Sequence, residues 1–79
     1  LGGDETEAEI YLRRAIKADE RYTNARLILA RLLIKQGRAT EARSHLEAVM
    51  QIDHPHYPYA WKRIFRPEAV RLLKALPSS

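Results

Sequence analysis

An all-α fold is what this 79-residue chain predicts, and three observations predict it. Apolar residues recur at i, i+4, i+7 and i+8 in successive stretches, the spacing that lines one face of a helix. No stretch alternates apolar and polar residues as a half-buried strand does. Finally, residues 3–19, GDETEAEIYLRRAIKAD, echo residues 37–53, GRATEARSHLEAVMQID, at a constant offset of 34 residues. In that register Gly3, Thr6, Glu7, Ala8, Leu12 and Asp19 meet Gly37, Thr40, Glu41, Ala42, Leu46 and Asp53. Ala15 and Ile16 meet Val49 and Met50.

The first helix is expected over 6–19. Thr6-x-x-Glu9 has the form of a capping box, and Ala8, Leu12, Ala15 and Ile16 share its inner face. Glu5, Glu7 and Glu9 sit near its positive end, where the macrodipole favours anions. A second helix is expected over 23–36, capped by Thr23 or Asn24 and ended by Gly37. Its segment LILARLLI is apolar almost all round, so it needs neighbours on more than one side. Thr40 opens a third helix, 40–53, with Ala42, Leu46, Val49 and Met50 inward. Pro55 blocks its continuation, and Pro58 suits the first turn of a short helix, 57–65. Pro67 suits N1 of a last helix, 67–76, which turns Ala69, Val70, Leu72, Leu73 and Leu76 inward and stops before Pro77. About five helices in one domain follow.

Composition excludes several classes. Without cysteine there is no disulfide, no thiol nucleophile and no Cys-based zinc site; the compartment stays unknown, the cytoplasm slightly favoured. No apolar run approaches the roughly 18 residues of a membrane span. The N-terminal LGGDETEAE is acidic, unlike a signal peptide, and lacks an initiator Met, so the chain reads as part of a longer protein or as a processed one. The net charge of +4 is distributed in blocks: −3 over residues 1–20, +5 over 21–40, −2 over 41–60 and +4 over 61–79. Such alternation points to local surfaces rather than to a uniform coat for nucleic acid.

Helix pairs that return every 34 residues resemble the tetratricopeptide repeat family, an array of stacked helical hairpins. Over 23–56 the family pattern is met by Leu29-Ala30, Leu33, Gly37, Ala42, Leu46 and Val49, with the terminal proline displaced to Pro55. Ala8, Leu12 and Ala15 repeat the second-helix half one unit earlier. Two positions depart: Arg26 stands where the family has a large aromatic residue, and Ala39 where it has an aromatic after the glycine. The resemblance covers about residues 3–56 and divides the chain into the second half of one repeat (1–22), a full repeat (23–56) and a shortened, capping repeat (57–76). A helix preceding Leu1 in the parent protein would then complete the first unit. The competing reading is a plain helical bundle with a chance echo.

The family resemblance implies that the first helix of each pair lines a concave, partner-binding surface. On 23–36 that surface would carry Asn24, Arg31 and Lys35 on one stripe, bordered by Leu27 and Ile28, with Ile34 further round and Arg38 nearby. With no acid in residues 21–40, this surface suits a protein or peptide partner, an acidic one in particular. The plainer reading is a solvated face answered by acids of the first helix. An open inner face on that helix (Ala8, Leu12, Ala15, Ile16) would also favour a homodimer. His45, His54 and His56 lack the convergent spacing of a metal site, and no cofactor motif is present. Tyr57, Tyr59, Trp61 and Phe65 beside Lys62, Arg63 and Arg66 resemble a base-stacking platform, but core packing of Trp61 and Phe65 is the simpler role, and nucleic acid is an unlikely partner. The carboxylate pairs Glu7/Glu9 and Asp19/Glu20 have no neighbouring base, so no catalytic residues are expected.

Overall fold

The computed structural model describes residues 2–52 and 58–76, and those residues form helices without a strand. Helix α1 spans Gly2–Ala18, α2 Thr23–Lys35 and α3 Ala39–Met50. A last helical path joins α4 (Pro58–Ala60), a π-helical segment (Trp61–Phe65) and α5 (Arg66–Ala75) without interruption. Four helices are therefore described, where about five were expected. The two predicted helices over 57–65 and 67–76 are one.

The π segment explains that fusion. Proline inside an α-helix removes one hydrogen bond and drives its ring into the carbonyl four residues back. Ahead of Pro67 the helix widens by one residue, and the Arg66 N–H bonds the Trp61 carbonyl five positions earlier. The wider turn lets the path accept Pro67 without stopping.

The other junctions follow from local chemistry. Between α1 and α2, the Asp19 side chain accepts the Arg21 N–H at 3.0 Å while its backbone carbonyl accepts the Tyr22 N–H at 3.0 Å. This is an aspartate turn. Thr23, expected as a cap, donates instead to the Arg21 carbonyl at 3.2 Å. Gly37 takes φ +76°, the left-handed conformation that side chains disfavour. Its N–H reaches the Ile34 carbonyl and that of Arg38 the Leu33 carbonyl, which closes α2 in a Schellman motif. At the far end of α3, the Trp61 indole N–H donates to the Val49 carbonyl at 2.8 Å and so satisfies an acceptor in the helix's last turn.

One helix start differs from expectation. Because α1 begins at Gly2, Thr6 lies inside it and cannot act as an N-cap. The Glu9 carboxylate is drawn away to Arg13 and Arg38 instead of closing a box.

Packing runs α1 on α2, α2 on α3, and α3 on α5, with the π segment touching α2. The molecule measures 35 × 30 × 16 Å. Two helix layers set about 8–10 Å apart fill that thin dimension, so the hairpins lie side by side. The core is Leu29, Ala30, Leu33, Ala42, Leu46, Val49 and Ala69, each 0% exposed, with Leu12 and Ile16 at its α1 edge. Leu12 and Leu46, equivalent in the repeat, both point into this seam. The expected open face of α1 (Ala8, Leu12, Ala15, Ile16) is corrected for its two large residues, while Ala8 is exposed and Ala15 half-buried. Leu12 and Ile16 are covered by α2, and the large apolar side chains that α1 exposes are Ile10 and Tyr11. Leu12 and Ile16 are therefore not free to line a homodimer contact in this arrangement.

Candidate functional site

Helix α2 is wedged between α1 and α3, and the π segment also touches it, so little of its surface is free. The free part is the predicted stripe: Asn24, Arg31 and Lys35 are all exposed, with Ile28 exposed beside them. Leu27 is buried beneath the stripe and Ile34 is half-buried, packed against the core. Each therefore supports the surface more than it presents itself.

At one end of the stripe lies a cavity of about 220 Å³, lined by Asn24, Leu27, Arg31, Ile64, Phe65 and Glu68. Three of the six residues singled out from the sequence meet there. Ile64, Phe65 and Glu68 were not anticipated as lining. They reach the cavity because the π turn carries the last helix alongside α2.

The cations of this surface are not bare. Arg31 pairs with Glu68 at 2.6 Å, and Arg71 meets the same carboxylate. Lys35 pairs with Glu5 at 2.8 Å. Arg38 reaches Glu9 at 2.8 Å and Glu41 at 2.8 Å. Arg13 bridges Glu9 at 2.9 Å and Glu41 at 3.0 Å. The acids of the first helix thus answer the basic block, as the plainer reading held. Glu41 and Glu68 join them from α3 and α5. Glu68 was legible as the one acid in the basic block 61–79, though its partner on α2 was not.

These pairs move the titration of their members. The Arg71 and Arg31 guanidinium groups hold the Glu68 carboxyl down to about 2. Arg38, then Arg13, lowers Glu9; Lys35, then Gln36, lowers Glu5. Arg38 and Lys35 are raised in turn, chiefly by hydrogen bonds to Glu9 and Glu5.

The tetratricopeptide repeat profile matches residues 2–62, most of the chain. The chain belongs to the tetratricopeptide repeat family. No curated protein and no solved structure matches it. Tetratricopeptide repeats serve in general as protein–protein interaction modules and are typically non-catalytic scaffolds.

Other sequence candidates fall outside this surface. Trp61 and Phe65 pack against the core, while Arg66 stacks over Trp61 at 5.9 Å and Arg63 over Tyr59 at 5.5 Å. Tyr57, His54 and His56 lie outside the described residues. Among the described residues no group of three His, Asp or Glu side chains is arranged to hold a metal, and no helix is long and apolar enough to cross a membrane.

Proposed function

We propose that this tetratricopeptide segment is a non-catalytic interaction module that seats a peptide or helix of a partner protein along the exposed face of α2. The observation that carries this reading is the convergence of Asn24, Leu27 and Arg31 with Ile64, Phe65 and Glu68 on one cavity. An apolar floor with polar groups at its edge is the usual makeup of a ligand site. Ile28 and Ile64, exposed by 43% and 59%, extend its apolar border. Reading 23–56 as the full repeat unit, with α2 its first helix, favours the same placement.

The paired cations refine the partner. A wholly acidic peptide would have to displace Glu5, Glu9 and Glu68 from their arginine and lysine partners, which returns little net gain. The better fit is an apolar side chain in the cavity with a single carboxylate joining Arg31, whose side chain is 55% exposed. Arg38, tied to Glu9, Glu41 and Gln36, then acts in the framework more than in contact.

Display selection of random peptides against the whole chain tests this. Selected peptides should carry one apolar anchor beside an acid, and Ile64→Asp or Arg31→Glu should weaken them about tenfold or more. Peptides that bind both variants as well as the parent would sink the reading.

A further inference from the structure

Arg26 is the departure from the family pattern that the interaction surface leaves unused. It occupies a position where a large aromatic residue is expected, yet it points away from the α2 stripe, toward α3. Its Nε donates to the Glu20 carbonyl at 2.9 Å, and one terminal nitrogen meets His45 Nδ1 at 3.4 Å. A guanidinium is always a donor, so Nδ1 accepts and the neutral imidazole carries its proton on Nε2. Among the described residues these are the side-chain hydrogen bonds of Arg26, so three of its five N–H donors remain for a ligand.

Those donors adjoin a second cavity, of about 190 Å³, between α1, α2 and α3. Its lining is Arg13, Ile16, Lys17, Glu20, Arg26 and His45. Three cations thus face one carboxylate. Arg13 is shared with Glu9 and Glu41, but among the described residues no carboxylate pairs with Arg26 or Lys17. The half-buried His45 records the resulting field. Burial, then the positive charges of Arg26 and Arg13, holds its imidazole below the ordinary value, against the smaller opposing pull of Glu41.

We infer that this cavity is an oxyanion site that takes a phosphate-monoester-type group, separate from the α2 surface and independent of the reading given for it. Arg26 supplies charge-assisted hydrogen bonds from the floor, and Lys17 closes the rim as a mobile point charge. Ile16 provides an apolar wall. An entering dianion offsets the positive charges that, after burial, hold His45 neutral. His45 then gains a proton on Nδ1, which frees for the anion the Arg26 N–H it had accepted, and the anion binds more tightly as pH falls through the histidine range. The groups that set this response are Arg13 on α1, Lys17 and Glu20 at the rim, Arg26 on α2 and Glu41 on α3.

The test is a proton–nitrogen NMR titration of the whole chain at fixed ionic strength. Three probes are used: sulfate, whose charge is constant from about pH 8 to about pH 6, inorganic phosphate, and a phosphoserine peptide beside its serine counterpart. Saturable shifts confined to Ile16, Lys17, Arg26 and His45, tighter toward lower pH with sulfate, are expected. Arg26→Gln should weaken them by about tenfold or more. Lys17→Gln, on an exposed side chain that the fold does not need, should weaken them severalfold. Tighter binding of the phosphoserine peptide than of inorganic phosphate assigns the group to a modified partner protein, and the reverse assigns it to a free anion. Shifts that do not saturate, that spread evenly over all basic residues, or that survive both variants would overturn the site. Neither variant touches the α2 surface, so peptide selection there should proceed unchanged whichever way this titration falls.

Discussion

Leu46 and Leu12 occupy equivalent places in the repeat but unequal surroundings, so truncating each to alanine measures what a stacked neighbour contributes. Leu46 is 0% exposed, on a helix packed against both α2 and α5. Leu12, at 8%, sits on α1, whose principal packing partner among the described elements is α2. Leu→Ala in a closed core costs about 3–5 kcal/mol, made of lost transfer free energy plus a term for the void left behind. For Leu46 both parts apply, since two helices hold the walls apart, and about 3–4 kcal/mol is expected. At Leu12, with α2 as the principal packing neighbour, α1 can settle into the space, so the void term shrinks and about 2 kcal/mol remains. With a urea m-value of about 1 kcal/mol/M for a chain this small, the midpoints should separate by about 1 M or more. Urea unfolding followed by far-ultraviolet circular dichroism reads the helices. Emission of Trp61, the single tryptophan, reads the α3 junction. Equal costs, or a larger cost at Leu12, would refute the claim that α1 packs as an edge of the stack.

Two further outcomes follow from side-chain bonds. Trp61→Phe keeps an aromatic ring against the core but removes the donor to the Val49 carbonyl, so it should lower stability by about 1 kcal/mol in the same urea assay; an unchanged midpoint would mean the bond does no net work. The carboxyls of Glu5, Glu9, Glu41 and Glu68 all titrate below their ordinary value near 4.5, Glu68 at about 2. The unfolded chain therefore binds more protons in this range, so their stabilisation is whole above about pH 4.5 and is lost as pH falls toward about 2. The thermal midpoint should decline across that window, less steeply in Glu68→Gln, and a midpoint that holds level down to about pH 2 would contradict the pairing.

The repeat was legible because its signal is redundant. Spacing, the glycine stop at Gly37 and the Ala-x3-Leu pattern at Ala42 and Leu46 all name the same element, and the structure agrees within a residue or two for α2 and the start of α3. What failed were inferences from a single local motif. Thr6-x-x-Glu9 satisfies a capping box, but nothing in those residues reveals that Glu9 gains more from Arg13 and Arg38 than from its own backbone. Pro67 reads as a helix start because proline usually is one. The widened turn that absorbs it depends on how the path sits on α2 and α3, a tertiary matter. That Asn24, Arg31 and Lys35 share one stripe of α2 followed from their spacing, while the choice of that face came from the family resemblance. The opposite wall, Ile64 and Phe65, was hidden because it depends on that same unbroken path.

The placement of charge explains something that the apolar seam cannot. A seam of alanines and leucines is nearly self-similar from one helical turn to the next, so sliding α1 along α2 by a turn would bury much the same surface. The ion pairs are not self-similar. Glu5 to Lys35 and Glu9 to Arg38 tie α1 to the end of α2, Arg13 to Glu41 ties α1 to α3, and Arg31 to Glu68 ties α2 to α5. As largely exposed pairs, each adds little to stability and less in salt. A one-turn slip, however, would set Arg13 in place of Glu9 against Arg38 in one direction, and in the other would leave Lys35 without Glu5. The pairs therefore raise the energy of the wrong stackings more than they lower that of the right one, which is the work asked of polar contacts at a repetitive interface. By the same logic Lys35 and Arg38 serve mainly to fix their neighbours, and under the proposed reading recognition rests with Asn24, Arg31 and the apolar side chains beside them.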